Sequence, residues 1–155
     1  MAKHSVLFVC LGNICRSPTA EGIFKHKVQQ RELTDQFDID SAGTGDWHIG
    51  SPPDNRARAA AASRGFDIDG LRARQVKAQD FQHFDYVIAM DYSNQRNLRQ
   101  LSDPRHADKV YLLLEFSDSH LEEVPDPYYG GDDGFNQVID LIEEACEGLL
   151  SKILS

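Results

Sequence analysis

The chain has 155 residues, 41% hydrophobic, 26% charged and 9% aromatic, the profile of one ordinary globular domain and not of a disordered, fibrous or multidomain protein. Its 16 Lys and Arg against 25 Asp and Glu give a formal charge of −9, which argues against nucleic-acid binding. The longest apolar runs, such as Val6 to Leu11, fall far short of the roughly 20 residues of a membrane-spanning helix, and Met1 to Ser5 lacks the build of a signal peptide, so a cytoplasmic protein without membrane insertion is expected.

Val6 to Val9 is a β-branched and aromatic run that ends at Cys10 and meets Leu11-Gly12-Asn13, which predicts a buried strand running into a turn. Ser17-Pro18 supplies an N-cap and first-turn pair for a helix whose apolar positions Ala20, Ile23, Phe24 and Val28 recur at helical spacing. Phe37 to Ser41 predicts a second strand, followed by a glycine-punctuated loop from Gly43 to Pro53. An Ala-rich helix is expected from Asp54 to Arg64, opened by Pro52 and Pro53 and closed by Gly65. Tyr86 to Met90 predicts a third strand, Ser93 to Leu101 a helix with Leu98 and Leu101 inward, and Val110 to Leu114 a fourth strand. A long loop from Phe116 to Asp133 then precedes a last helix, from about Gly134 to Ile153. Strands alternating with helices predict an α/β fold: a single domain over residues 1–155, with a four-stranded parallel sheet, helices on both faces and right-handed crossovers.

Three cysteines, Cys10, Cys15 and Cys146, make a disulfide framework improbable in a chain without a secretory signal. Cys146 lies in the apolar-periodic run Ile139, Ile142, Cys146, Leu149, Leu150 and is expected in the core. Cys10 and Cys15 flank a more informative segment. In open α/β sheets ligands bind outside the carboxyl ends of the strands, which directs attention to the loop Cys10-Leu11-Gly12-Asn13-Ile14-Cys15-Arg16-Ser17. It has no Gly-Lys-Ser/Thr ending, and Gly43-Thr44-Gly45 does not extend to a dinucleotide fingerprint.

Cys10, five residues and Arg16 is the spacing of a loop curled round one oxyanion. The amides of Leu11, Gly12, Asn13, Ile14, Cys15 and Arg16 can point inward as a nest, with Gly12 and Asn13 able to take left-handed conformations. The helix opening near Ser17 adds the positive end of its dipole, and Arg16 can bind two oxygens of a phosphate. These features favour negative charge, so Cys10 is expected to react as a thiolate, with the Ser17 hydroxyl donating to its sulfur. The six histidines are scattered and no ligand set for zinc is completed, so neither a metal nor a cofactor is expected.

The run Val9 to Pro18 resembles the signature of the low-molecular-weight protein tyrosine phosphatases. Ser41-Ala42-Gly43-Thr44, Asp46-Trp47, Pro53-Asp54-Asn55-Arg56-Ala57, Ala73-Arg74-Gln75, Met90-Asp91 with Ser93-Asn94, and Asp126-Pro127-Tyr128-Tyr129-Gly130 stand where that family has similar motifs. The resemblance implies hydrolysis of phosphotyrosine in protein substrates, with Cys10 as nucleophile, Arg16 as phosphate ligand, and inorganic phosphate as product and inhibitor. It singles out Asp126, between Pro125 and Pro127, from the neighbouring acids as general acid and then general base. It further implies that Trp47, Tyr128 and Tyr129 wall the substrate pocket, that Asn13 bridges the loop to Ser41, and that Cys15 can trap oxidised Cys10 as a disulfide.

The sequence departs from better-studied members at Gly70-Leu71-Arg72, which lacks a His before Ala73-Arg74-Gln75, so the support under the loop is expected to be built differently. Three alternatives stand beside the phosphatase reading. An arsenate reductase would need two further cysteines close together, and none lies between Cys15 and Cys146. A protein arginine phosphatase resembles the chain but carries Thr where Ile14 stands; a phosphotyrosine-binding module without catalysis would not need Cys10, Arg16 and Asp126 together.

Overall fold

The computed structural model describes residues 3–127 and 132–155. Four parallel strands, β1 (His4–Cys10), β2 (Phe37–Gly43), β3 (Tyr86–Ala89) and β4 (Val110–Leu112), form one sheet in the order β2-β1-β3-β4. The helices are α1 (Arg16–Gln30), α2 (Asn55–Ser63), α3 (Asp80–His83), α4 (Tyr92–Leu101) and α5 (Asp132–Leu154). Short 3-10 turns, Thr34–Gln36, Pro104–Lys109 and Leu113–Phe116, complete the described elements; α3 and these turns had no signal in the hydrophobic pattern.

The two faces of β1 explain the layering. Val6, Phe8 and Cys10 point to one side, where Phe24 of α1 and Ile139, Ile142 and Cys146 of α5 pack; Leu7 and Val9 point to the other, against Phe81 of α3 and Leu98 of α4. A strand buried on both faces reads as a continuous apolar run, which is why Val6 to Val9 was legible. Cys146 is fully buried, as expected.

Four details correct the sequence reading. Ser17 is not the N-cap: α1 begins at Arg16 after Cys15, with no side-chain cap, and the Ser17 hydroxyl turns to the Cys10 sulfur instead. Leu101 is 47% exposed, because it is the last residue of α4 and lies at the lip of a groove, whereas Leu98 one turn earlier is fully buried. The fourth strand stops at Leu112, where the Glu115 carboxylate accepts from the Leu112 amide at 2.6 Å and draws the chain into a 3-10 turn. Gly12 does not take a left-handed conformation; in the loop only Asn13 does, at φ 57°.

Gly148 lets α5 approach the turn before it. A Cβ at that position would lie 1.8 Å from the carbonyl oxygen of Phe116. Alanine is worth about 1 kcal/mol over glycine in a helix interior, but the backbone collision outweighs it. Gly148→Ala is therefore expected to lower stability by about 1–3 kcal/mol, read as a fall in the urea midpoint at unchanged slope. An unchanged or raised midpoint would mean that the Phe116 turn is free to move.

Candidate active site

The chain steps from β1 to β2 on one side and crosses to β3 on the other, so the crevice between the carboxyl ends of β1 and β3 is the place for a ligand. Two segments meet there, the loop after Cys10 and Met90-Asp91 after β3.

Hydrogen bonds to neighbouring segments fix the loop's conformation. The carbonyl of Cys10 accepts from the Thr44 amide at 2.9 Å, that of Leu11 from Gly45 at 2.9 Å, that of Ile14 from Asp54 at 2.8 Å, and that of Cys15 from the Thr19 hydroxyl at 2.7 Å. A trans peptide points its C=O and N–H in opposite directions, so carbonyls drawn outward turn the following amides inward. Those are the amides of Leu11, Gly12, Cys15 and Arg16. They face a small cavity of about 50 Å³, room for a few groups of water size. Cys10, Gly12, Ile14, Cys15, Arg16 and Asp126 contribute to its walls, and Trp47 and His48 stand at the mouth.

At the floor, the Cys10 sulfur lies 3.0 Å from the Ser17 hydroxyl and accepts from the Ser17 amide at 3.4 Å. Both groups belong to the first turn of α1, so the open amino end of that helix is aimed at the sulfur. Further hydrogen bonds hold the Ser17 hydroxyl in place. Asn13 Nδ2 donates to both Ser17 Oγ (2.8 Å) and Ser41 Oγ (3.0 Å), and Ser41 in turn donates to the buried Glu21 carboxylate at 2.6 Å. The Ser17 proton has two acceptors within reach, the Cys10 sulfur at 3.0 Å and the Ala42 carbonyl at 3.4 Å, and a thiolate at Cys10, having no proton of its own, would take the closer bond. Asn13 is held in its left-handed conformation from behind, where its Oδ1 accepts from the Arg74 amide at 3.0 Å.

The support under the loop is thus a chain of hydrogen bonds through Ser17, Asn13, Ser41 and Glu21. Leu71 is half-buried against the core, and the buried Glu21, which ends the chain of hydrogen bonds, is paired at 2.5 Å with Lys25, whose side chain reaches the surface. Arg74 adds a second brace, donating to Asp40 and to both oxygens of Asp80 at 3.0–3.2 Å.

Arg16 is buried, and its guanidinium donates to Asp91 at 2.7 Å and to the carbonyl of Val124 at 3.0 Å, with Asp126 at 3.7 Å. Burial opposes the charge on Arg16, yet Cys10, Asp91 and Asp126 together more than offset it, so the guanidinium is held more firmly protonated than usual. The segment carrying Asp126 is pinned two residues earlier, since the Val124 amide also donates to Met90 at 2.8 Å. The flanking prolines are thus only part of what aims Asp126. Burial, with Asp54, Cys10 and Asp126 nearby, pushes the Cys15 thiol well above its ordinary range.

The structure thus brings together Cys10, Asn13, Arg16, Ser17, Ser41 and Asp126, with Ile14 and Trp47 at the cavity wall. Tyr128 and Tyr129 lie outside the described residues. Sequence reasoning missed the parts played by Asp91, Glu21 and Arg74. Asp91 had a usable signal, because it follows the strand that flanks the switch point.

A family model described as low molecular weight phosphotyrosine protein phosphatase matches residues 5–155. The chain belongs to that family. Among curated relatives of this phosphatase family, the low molecular weight protein-tyrosine-phosphatase YfkJ of Bacillus subtilis is 47% identical over 150 residues, 96% of this chain and 95% of the relative. Among solved structures, a protein tyrosine phosphatase from Entamoeba histolytica superposes with a TM-score of 0.94 at 43% identity, covering 97% of each chain. A Drosophila arginine phosphatase superposes with a TM-score of 0.90 at 39% identity, over 97% of this chain and 98% of that one. The same fold is thus found in a protein named a tyrosine phosphatase and in one named an arginine phosphatase.

Proposed function

We propose that this chain hydrolyses phosphotyrosine in proteins through a cysteinyl-phosphate intermediate, with Asp126 as general acid and then general base and without a metal ion. The observation that carries the reading is the sulfur of Cys10 held by the hydroxyl and the amide of Ser17 at a helix terminus, inside inward-turned amides, with the Arg16 guanidinium at the same cavity.

In the first step the thiolate of Cys10 attacks phosphorus, the P–O bond to the tyrosyl oxygen breaks, and Asp126 gives its proton to the departing oxygen. The loop amides and Arg16 hold the three remaining oxygens while charge redistributes among them. In the second step the Asp126 carboxylate takes a proton from water, which attacks phosphorus and releases inorganic phosphate and the thiolate. Inorganic phosphate fits the same cradle and acts as an inhibitor. Three free thiols among the described residues suit the reducing cytoplasm, where we place the protein.

Ile14 presents an apolar side chain to the cavity and Trp47 a flat ring to its mouth, surfaces that suit a phenyl group better than a guanidinium. The deciding experiment is hydrolysis in the presence of a chelator, with an aryl phosphate, a phosphoserine peptide and a phosphoarginine peptide side by side. Preferential turnover of the aryl phosphate is expected. Loss of all turnover in the chelator, or preference for phosphoarginine, would overturn the reading.

Cys15 lies on the same loop as Cys10 and lines the same cavity. Peroxide converts a thiolate to a sulfenic acid, whose sulfur the Cys15 thiol can attack, breaking the S–O bond and releasing water to give a disulfide. Prolonged exposure to excess peroxide, enough to carry an untrapped sulfenic acid to the sulfinic acid, is expected to cause a loss of activity that dithiothreitol restores in the wild type and fails to restore in Cys15→Ser. Equal recovery in both proteins would remove Cys15 from any protective role.

A further inference from the structure

Beside the phosphate cavity runs a larger groove of about 490 Å³ that none of the proposed chemistry uses. It is bounded by the loop after β2, through Gly45 and Trp47, and by α4, through Asn97, Leu98 and Leu101. Three observations single it out. The groove is continuous with the catalytic cavity, since Leu11 and Trp47 border both. All nine described residues that line it are uncharged, in a chain that is 26% charged. Finally, six large apolar side chains are exposed among the described residues, and three of them, Trp47 (63%), Leu101 (47%) and Leu11 (38%), stand in this groove. Exposed apolar side chains scattered singly need no explanation, but a cluster at the rim of an active site marks a contact surface.

The partition between groove and cavity is Trp47. Its ring lies against Gly45, where an added Cβ would come within 2.2 Å of the indole, so the absence of a side chain at Gly45 lets the ring lie flat on the loop. A phosphotyrosine seated on Cys10 passes this ring. Its neighbour in the peptide follows about 3.8 Å further along the chain, which leaves that neighbour's side chain the groove on the far side of Trp47.

Building on the proposed function, we propose that the groove between Trp47 and α4 is a specificity subsite for an uncharged, apolar side chain flanking the phosphotyrosine of a protein substrate. A small aryl phosphate, which has no flanking residue, does not reach it. Leu101 is then a specificity-determining residue that takes no part in the chemistry.

The test compares kcat/KM for three substrates: an aryl phosphate, and two sets of phosphotyrosine peptides that carry leucine or aspartate at the flanking positions. Wild type is expected to prefer the leucine peptide at one flanking position by about tenfold, the scale of burying part of an aliphatic side chain. Leu101→Gln, at an exposed helix end, is expected to reduce that preference to about twofold or less, with aryl phosphate turnover unchanged. A wild type with no leucine preference, a preference that survives Leu101→Gln, or an equal fall on all substrates overturns the subsite. Sedimentation that shows a wild-type dimer abolished by Leu101→Gln would also overturn it, by assigning the groove to self-association. Failure of wild type to turn over the aryl phosphate would instead strike the phosphatase reading itself, so the two failures are told apart.

Discussion

Cys10→Ser is expected to lose turnover of aryl phosphates by a factor on the order of 10⁴–10⁶, the range seen when a nucleophile is removed and the rest of a site stays in place. The reason lies in what surrounds the sulfur. The hydroxyl and amide of Ser17 and the amino end of α1 converge on it, an environment that suits an anion and does little for a neutral hydroxyl. A serine oxygen at the end of β1 would accept the same two hydrogen bonds, so the loop should keep its shape and the protein its stability. It would not be ionised at neutral pH, and its shorter bond to Cβ would leave it further from phosphorus. The control is inorganic phosphate, which in the proposed cradle meets amides and Arg16 and not the nucleophile. Cys10→Ser is expected to bind phosphate within a few-fold of wild type by calorimetry while turning over no substrate. Retention of more than about 1% of activity would rule out the cysteinyl-phosphate route.

The contrast between what could and could not be foreseen has a physical basis. Local chemistry was legible: β1, the loop spacing and α1 follow one another within 27 residues, from His4 to Gln30, and each leaves a pattern in the chain. The Ala-rich helix and its Gly65 terminus, with φ at 87°, were also local properties. Contacts between distant segments left no such trace. Asp91 is 75 residues from Arg16 and Val124 is 108 away, and only the order of the strands brings them to the guanidinium. Glu21 was hidden differently, as a polar residue on an otherwise apolar helix face, and its role appears only with Ser41 beside it. The misplaced N-cap has the same origin: a serine at a helix start ordinarily caps its own helix, but here the sulfur of Cys10 and the amide of Asn13 compete for its oxygen.

The second large effect is expected at Asp126. Two carboxylates lie beside Arg16, and their surroundings divide the roles. Asp91 has both oxygens engaged as acceptors, Oδ1 from the Asn94 amide at 2.8 Å and Oδ2 from Arg16, so it is fixed as a structural anchor for the guanidinium and the cap of α4. Asp126 is further from Arg16, at 3.7 Å, partly exposed, and lines the cavity where a leaving oxygen would emerge. Asp126→Asn keeps the shape and removes the transferable proton. Turnover of phosphotyrosine, whose leaving phenolate belongs to a group with a pKa of about 10, is expected to fall by about 10²–10⁴-fold. An aryl phosphate with a strongly acidic phenol needs little protonation and should fall by far less. The pH profile carries an independent sign. A reaction that needs a protonated general acid loses rate toward alkaline pH, and a limb of that kind in the wild-type profile should be absent in Asp126→Asn. An equal loss on both leaving groups, with the alkaline fall intact, would return the search for the proton donor to the other acids of the loop before α5. The same variant reads the electrostatics of the cradle, because removing one negative charge beside Arg16 should leave phosphate inhibition as strong as in wild type or stronger. Weaker inhibition would mean that the loop had lost its shape, and the loss of rate could not then be assigned to the proton.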